Sequence, residues 1–209
     1  MFSHFKGSTF VSSFHLILDA NVRGISSDLT IECRAAGPWL LNFKSWLVQM
    51  KDSREMSKEM YFSRFPASID SLTRYLDKGP IEDPNQILFL IVDESKTLYG
   101  HVGLKLDDIG NVYVDNVLRV TGRTPGIIGR ALQEILAWGN KSLGILEYRL
   151  QVISSNHRAI ALYQDLGFFL EESKSLRIEK FSNGCANLVP SDKENSNTPE
   201  EMLIMRIKL

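Results

Sequence analysis

The sequence predicts a mixed α/β (α+β) domain, a largely antiparallel sheet flanked by helices, and three stretches carry that prediction. Val112 to Phe168 reads strand, Pro/Gly turn, helix, strand, helix. Ile87 to Asp93, ILFLIVD, is a continuous apolar run, as expected of a strand buried on both faces, and LYGHVGLKLD returns from it after the turn Asp93–Thr97. The chain closes with a polar-alternating strand after Phe168 and a second one at EMLIMRIKL.

In order, residues 1–28 form an N-terminal extension in which FVSSFHLILDA packs as an extra strand or a short helix, two readings that periodicity leaves open. The domain proper is residues 29–209. Leu29 to Arg34 is a short strand. Pro38 then starts a helix over Trp39 to Lys51, with Leu40, Phe43, Trp46, Leu47 and Met50 at helical spacing, a set expected to be core. Asp52 to Phe65 is charged and Met-rich, a solvated helix or loop by composition. Ser68 opens a further helix that Gly79-Pro80 ends. Gly100 and Gly103 in the return strand imply close packing or a bulge, and His101 between them is expected to be structural.

In the strand Val112 to Arg119, strict alternation puts Val112, Val114, Asn116 and Leu118 on one face and Tyr113, Asp115, Val117 and Arg119 on the other. The helix after the turn carries Ile128, Ala131, Leu132, Ile135 and Leu136 on one side. The next strand places Leu146, Tyr148, Leu150 and Val152 together. The last helix has the stripe Ala159, Leu162, Tyr163, Leu166 and stops at Gly167. Ser182 to Thr198 lacks hydrophobic periodicity and reads as a mobile loop.

The turn Gly122–Gly126 is the first stretch with chemical content. The first amides of a helix lack intrahelical partners and make an anion site. Pro125 presets its own φ, Gly126 lets an anion approach the backbone, and Arg123 and Arg130 flank it with guanidinium groups that can pair with phosphate. An ordinary turn capping an ordinary helix fits the same residues.

Asn156 to Phe168, NHRAIALYQDLGF, resembles the N-x-x-A-x-x-L-Y-x-x-L-G-F signature of the GNAT N-acetyltransferase superfamily at all seven specified positions. The upstream turn is similar to that family's pyrophosphate motif, (Gln/Arg)-x-x-Gly-x-(Gly/Ala). Arg123 and Gly126 match it, Ile128 stands where a small residue is usual, and Gly129 follows one place late. The resemblance covers Ile87 to Phe168 and reaches the flanks by topology alone.

The resemblance implies a sheet with a splayed parallel strand pair and an acetyl-CoA-dependent N-acetyltransferase, in which an amine attacks the thioester directly. Acetyl-CoA is then the cosubstrate, with no metal. Backbone groups of Val117, Leu118 and Arg119 are expected to meet the pantetheine amides as an added strand would. Arg123, Pro125, Gly126, Ile127, Ile128, Gly129 and Arg130 form the phosphate cradle. Asn156 contacts the pantetheine arm or only caps its helix, with Ala159 beside it. Tyr163 takes the family tyrosine's role, protonating the departing sulfur; a core tyrosine bonded to a backbone carbonyl is its structural alternative. Asp115, the acid on the strand before the turn, either deprotonates the amine or fixes it while solvent takes the proton. Arg54, Glu55, Tyr61 and Arg64 fall where the family folds over its acceptor. The wording YVDNVLR before the turn is similar to members acting on amino-sugar nucleotides, which offers such a nucleotide as one acceptor and leaves another small-molecule amine or a protein N-terminus open. A non-catalytic acyl-CoA-binding module of the same fold is the alternative. A homodimer is left open.

Composition limits the rest. The 209 residues carry 24 Lys and Arg against 25 Asp and Glu, net −1, so no nucleic-acid footprint is expected. Hydrophobic residues at 44% suffice for a core. Two cysteines, Cys33 and Cys185, are too few for a disulfide scaffold or a zinc site. Phe10 to Ala20 is too short and too polar to span a membrane, and a cytoplasmic protein is expected.

Overall fold

The structure, a computed structural model, describes residues 30–120, 124–182 and 184–209 in full and residues 13–17 by their backbone. Among these, ten strands form one sheet: β1 (Ser13–Ile17), β2 (Thr30–Ala35), β3 (Ser63–Arg64), β4 (Gln86–Asp93), β5 (Leu98–Leu106), β6 (Val112–Arg119), β7 (Glu147–Ile153), β8 (Phe169–Lys180), β9 (Ala186–Pro190) and β10 (Glu201–Lys208). Their order is β1-β2-β4-β5-β6-β7-β10-β8-β9-β3, and every neighbouring pair is antiparallel except β6 and β7. The α-helices are α1 (Lys44–Met56), α2 (Ile69–Leu76), α3 (Ile127–Leu143) and α4 (His157–Asp165).

The apolar run of β4 is buried on both sides, as its lack of alternation predicts. Ile87, Phe89 and Ile91 enter the core under α3 and α4, while Leu88, Leu90 and Val92 enter the core under α1. The aromatic residues between β2 and α1 are core as expected: Phe43 stacks on Trp46 at 4.6 Å, Trp39 meets both edge-on, and the Trp46 indole donates to the Lys96 carbonyl at 3.1 Å. The predicted helix over Trp39–Lys51 is in fact a short 3₁₀ turn, Pro38–Asn42, that breaks at Phe43 before α1 begins and runs on to Met56. Phe43 leaves helical geometry at φ −90°, ψ 71°, which ends the first turn while its ring still packs. Ser68 caps α2 through a reciprocal pair of 3.0 Å bonds with Ser71.

Two further expectations change. Leu146 lies just outside β7 and is exposed, although Tyr148, Leu150 and Val152 are buried together. The stretch 182–198 is not a featureless loop: Ala186–Pro190 pairs with Leu176–Lys180 as β9, and a 3₁₀ turn covers Lys193–Asn195. Its burial comes from one residue, Leu188, joining Ile153, Leu176, Met202 and Ile204, too little for a periodic signal. Within the extension, the strand alternative is the one found, with Ser13–Ile17 pairing along β2.

The largest departure is in β6. His101 pairs with Leu118 and Gly103 with Asp115, so Val102 faces two residues, Asn116 and Val117. This is a β-bulge, with Asn116 at φ 49°. It reverses the alternation: Val117 packs with Val112 and Val114 under α3, whereas Leu118 joins Asp115 on the other face. The buried His101 ring locks the bulge through Nδ1 and the Asn116 carbonyl at 2.7 Å. A carbonyl only accepts, so Nδ1 carries the proton. Gly100 belongs to the same contact, since a Cβ there would lie 2.1 Å from the Leu118 carbonyl oxygen and 2.6 Å from Ile128 Cδ1.

Burial lowers the His101 imidazole from its ordinary value of 6.5 to about 4, against a smaller opposing pull from the Asn116 carbonyl. The unfolded chain therefore takes up this proton first as pH falls. The stabilisation is complete above pH 6.5 and drains away between there and about pH 4, by about 3 kcal/mol. Urea unfolding at pH 7 and pH 4 is expected to show this decline in the natural protein and a flatter one in His101→Gln. Gly100→Ala is expected to cost about 2–4 kcal/mol in the same assay, because the Leu118 backbone cannot withdraw without opening the bulge.

Candidate active site

The parallel pairing of β6 and β7 spans only Val112–Val114 against Tyr148–Leu150. Beyond it β7 continues beside β10 and β6 beside β5, so the two strands part at Asp115. A bulged strand bends, and this one bends at the point of divergence. From Asp115 to Arg119 the edge of β6 that faces β7 has no strand partner among the described residues, which leaves backbone donors and acceptors along a groove. This is the splayed pair expected of the fold.

At one end of the groove α3 begins. Gly126 precedes it at φ 87°, a left-handed conformation that favours glycine, and no side chain caps the helix. Its first amides keep no helical partner, and no acidic residue lies in its first turn. Ile127 and Ile128 turn their side chains into the core, so they can offer an anion only their N–H groups. Gly129 owes its missing side chain to packing: a Cβ there would lie 2.8 Å from Leu162 Cδ1 on α4. Arg130 bonds Gln133 at 3.0 Å on its own helix. Pro125 is exposed beside Gly126, and Arg123 lies outside the described residues.

Across the groove α4 begins at Asn156, whose Oδ1 accepts from the Ala159 N–H at 3.2 Å. The helix cap that the sequence allowed for Asn156 is formed through its Oδ1. Arg158, passed over in the sequence, faces Arg119: burial first, and then the Arg158 charge, lowers the Arg119 guanidinium from its usual value. Among the described residues neither arginine has a carboxylate within 4.0 Å, so two cations meet with no counter-charge. The signal in sequence was present but unreadable, because Arg119 and Arg158 come together only when the β6 end and the α4 start are brought side by side.

Tyr163 sits in the same region. Its side chain is 7% exposed, packs on Phe168, and among the described residues its hydroxyl has no hydrogen-bond partner. Tyr148 differs, donating to the Leu136 carbonyl at 3.0 Å. The carbonyl-bonded alternative for Tyr163 is therefore not what the fold provides. Burial first, with the charges of Tyr61 and Asp115 adding to it, raises the phenol well above its ordinary range, so it keeps its proton at neutral pH.

Asp115 opens on the opposite face of the sheet, at the junction of two hollows. One, about 290 Å³, lies under α1 and α2 and is walled by Tyr61, Phe62, Phe65, Leu72, Tyr75 and Leu118, with Arg54, His101 and Asn116 among its polar groups. The other, about 360 Å³, is polar, with Lys105, Asp107, Tyr113 and Gln151. The Asp115 carboxyl is raised from its usual range by desolvation, against lowering by the Asn116 N–H and by Lys105 and Arg54. Asn116 does not point away as alternation implied. The bulge turns it into the first hollow, where its amide donates to the Tyr75 hydroxyl.

Of the four acceptor-side candidates, Arg54 and Tyr61 line this hollow, with the guanidinium 3.2 Å from the tyrosine ring centroid. Glu55 and Arg64 do not. Glu55 accepts from the Ala67 N–H at 2.9 Å and from Lys58 at 2.8 Å, and Arg64 pairs with Glu59 at 2.8 Å. Arg54 and Glu55 are adjacent on α1, and only the packing of α1 on β6 decides which side chain faces the hollow. His101 lines it as well, which its place between two glycines did not reveal.

Among the described residues no group of three His, Cys, Asp or Glu side chains is placed to hold a metal, and no helix is long and apolar enough to cross a membrane. Among curated proteins no match is found. The fold matches a spermidine N-acetyltransferase from Vibrio cholerae solved with CoA and spermine at a TM-score of 0.61, with 20% identity over 86% of this chain and 95% of that one. It also matches a probable acetyltransferase (GNAT family) from Chromobacterium violaceum ATCC 12472 at 0.65, with 11% identity over 97% of this chain and 88% of the other. Neither likeness carries an amino-sugar nucleotide, so that expectation finds no support in them. The model of the acetyltransferase (GNAT) family matches residues 50–168, more than half of the chain and the span holding Arg54, Asp115, Gly126 and Tyr163. The chain therefore belongs to the acetyltransferase (GNAT) family and is an N-acetyltransferase of that type.

Proposed function

We propose that the protein transfers an acetyl group from acetyl-CoA to the amino group of a small molecule held on the Asp115 face of the sheet. The observation that carries this reading is the gap between β6 and β7, with a phenol that has no hydrogen-bond partner among the described residues on one side and a carboxyl on the other.

The residues fit the cosubstrate's chemistry. A diphosphate suits the uncapped start of α3, and Arg119 and Arg158 supply the positive charge that the helix end alone does not. The free edge of β6 over Val117, Leu118 and Arg119 suits the amides of the pantetheine arm. When bound, acetyl-CoA supplies a carbonyl activated as a thioester.

The proton traffic is assigned to this chain's own groups. An alkylammonium is ordinarily protonated up to about pH 10 and cannot attack until it loses a proton. Asp115, with its carboxyl raised by desolvation, is the acceptor for that proton, directly or through solvent. Tyr163 holds its proton against any pH near neutrality and is the donor to the departing sulfur. The uncoupled roles have a physical reason: Tyr163 is buried, which keeps the phenol an acid, while Asp115 reaches solvent with its carboxyl raised by the packed atoms around it.

Tyr163→Phe is expected to lower kcat by about 10²-fold, the range of a single general acid, while the dissociation constant for CoA measured by calorimetry stays within about twofold. Asp115→Asn is expected to reduce kcat/KM by a similar factor and to abolish the acid limb of the pH–rate profile. That limb should lie above the ordinary carboxylate value of 3.8, since desolvation raises the group. Unchanged thiol release in both variants would count against this assignment.

A further inference from the structure

The hollow under α1 and α2 has a chemistry of its own. Its walls are rings and branched chains, and its volume, about 290 Å³, falls at the small end of ligand sites, which run to about 1,000 Å³. Two charged groups of opposite sign face it, Asp115, which also reaches solvent, and the half-buried Arg54. Asp115 is at the floor. Arg54 is at the wall, held 3.2 Å from the Tyr61 ring centroid and 5.4 Å from that of Phe65, and donating to the Ser63 carbonyl at 3.0 Å. Lys51 also borders the hollow but is paired with Asp52 at 2.6 Å. Among the described residues Arg54 has no carboxylate within 4.0 Å, so its charge is directed at whatever enters.

That arrangement sorts amines. A polyamine gains from an acid near each of its ammonium groups; this hollow has Asp115 alone, and the Asp107 of the adjoining polar hollow has Lys105 beside it. A second ammonium would be carried toward Arg54 in a site where apolar walls weaken solvent screening. An apolar body loses nothing by approaching Arg54 and gains contact with Tyr61, Phe65, Leu72 and Tyr75. Asn116 fixes one of those walls by donating to the Tyr75 hydroxyl, so the ring is a built surface.

Resting on the acetyltransferase reading above, the geometry points to an acceptor that is a primary monoamine on a short linker to an aromatic or branched apolar body, with Arg54 as the residue that rejects polycations. The amino nitrogen meets Asp115 at the floor and the body fills the hollow.

The test compares kcat/KM for 2-phenylethylamine, isoamylamine and spermidine at saturating acetyl-CoA, together with calorimetric binding of each amine to the CoA-loaded protein. The monoamines are expected to exceed spermidine by at least tenfold in kcat/KM. Tyr75→Ala should raise KM for 2-phenylethylamine several-fold with little change in kcat. Arg54→Gln should narrow the gap by improving spermidine, and should this variant not fold, the Tyr75 variant and the wild-type ratios still decide. Spermidine acetylated as well as or better than the monoamines overturns the proposal and leaves the acetyltransferase reading standing. Monoamines that bind the CoA-loaded protein but are not acetylated support the pocket's selectivity and sink the acetyltransferase reading instead. No binding and no turnover of either monoamine overturns the proposal.

Discussion

One bulged residue pair governs this molecule. Asn116 and Val117 occupy the space opposite Val102 alone, and the extra residue must go somewhere. It bends β6 away from β7, which opens the groove. It also moves Leu118 to the face of Asp115 and brings Asn116 there too, which builds the floor of the acceptor-side hollow. The bend is held by the His101 ring on the Asn116 carbonyl and by the absence of any side chain at Gly100, so two cores meet at one irregularity. A regular β6 would pair with β7 along its length, and neither the groove nor the hollow would exist.

The electrostatics follow from that placement. Asp115 and Tyr163 stand on opposite sides of the sheet's parting strands, near enough for the Asp115 charge to raise the phenol. Tyr163 is buried and Asp115 is exposed among packed neighbours, and the loss of solvent around each favours its neutral form. For a carboxyl that means greater basicity near neutral pH, and for a phenol a firmer hold on its proton. Arg54 limits the effect on Asp115 by pulling its value back down. The same guanidinium, clamped over Tyr61, gives the hollow its sign.

On the far side, β7, β10 and β8 are tied by a mixed-charge cluster: Arg149 to Glu147 at 2.7 Å and Glu171 at 3.0 Å, and Arg206 to Glu171 at 3.1 Å. These groups are about a quarter exposed, and each such pair contributes at most about 1 kcal/mol. Their value is in register. β10 lies between β7 and β8, and a slip by one residue would turn Arg206 to the opposite face, away from Glu147 and Glu171. Leu176, Leu188, Met202 and Ile204 form a small core on the same face of these strands, since Met202, Ile204 and Arg206 alternate along β10, and Phe62 packs on that cluster while also lining both hollows. The closing strands thereby position a wall of the site from a distance in sequence.

Local chemistry alone was enough to determine much of the chain. β4 is fixed by six consecutive apolar residues, α2 by the Ser68 and Ser71 cap, α3 by Gly126 at its start, and α4 by Asn156 and Gly167 at its ends, since propensity, period and caps act over a few residues. The family signature at Asn156–Phe168 is of the same local kind. What only the tertiary structure decided is whatever depends on two distant segments meeting. The bulge at Asn116 needs β5 to supply one residue where β6 supplies two. The Arg119–Arg158 pair needs a strand end beside a helix start. The choice of Arg54 over Glu55 needs α1 laid on β6, and β9 needs Leu188 to reach a core made by three other strands. A strand's alternation can be written from its own residues, but an insertion against its neighbour cannot, because register is a property of the pair.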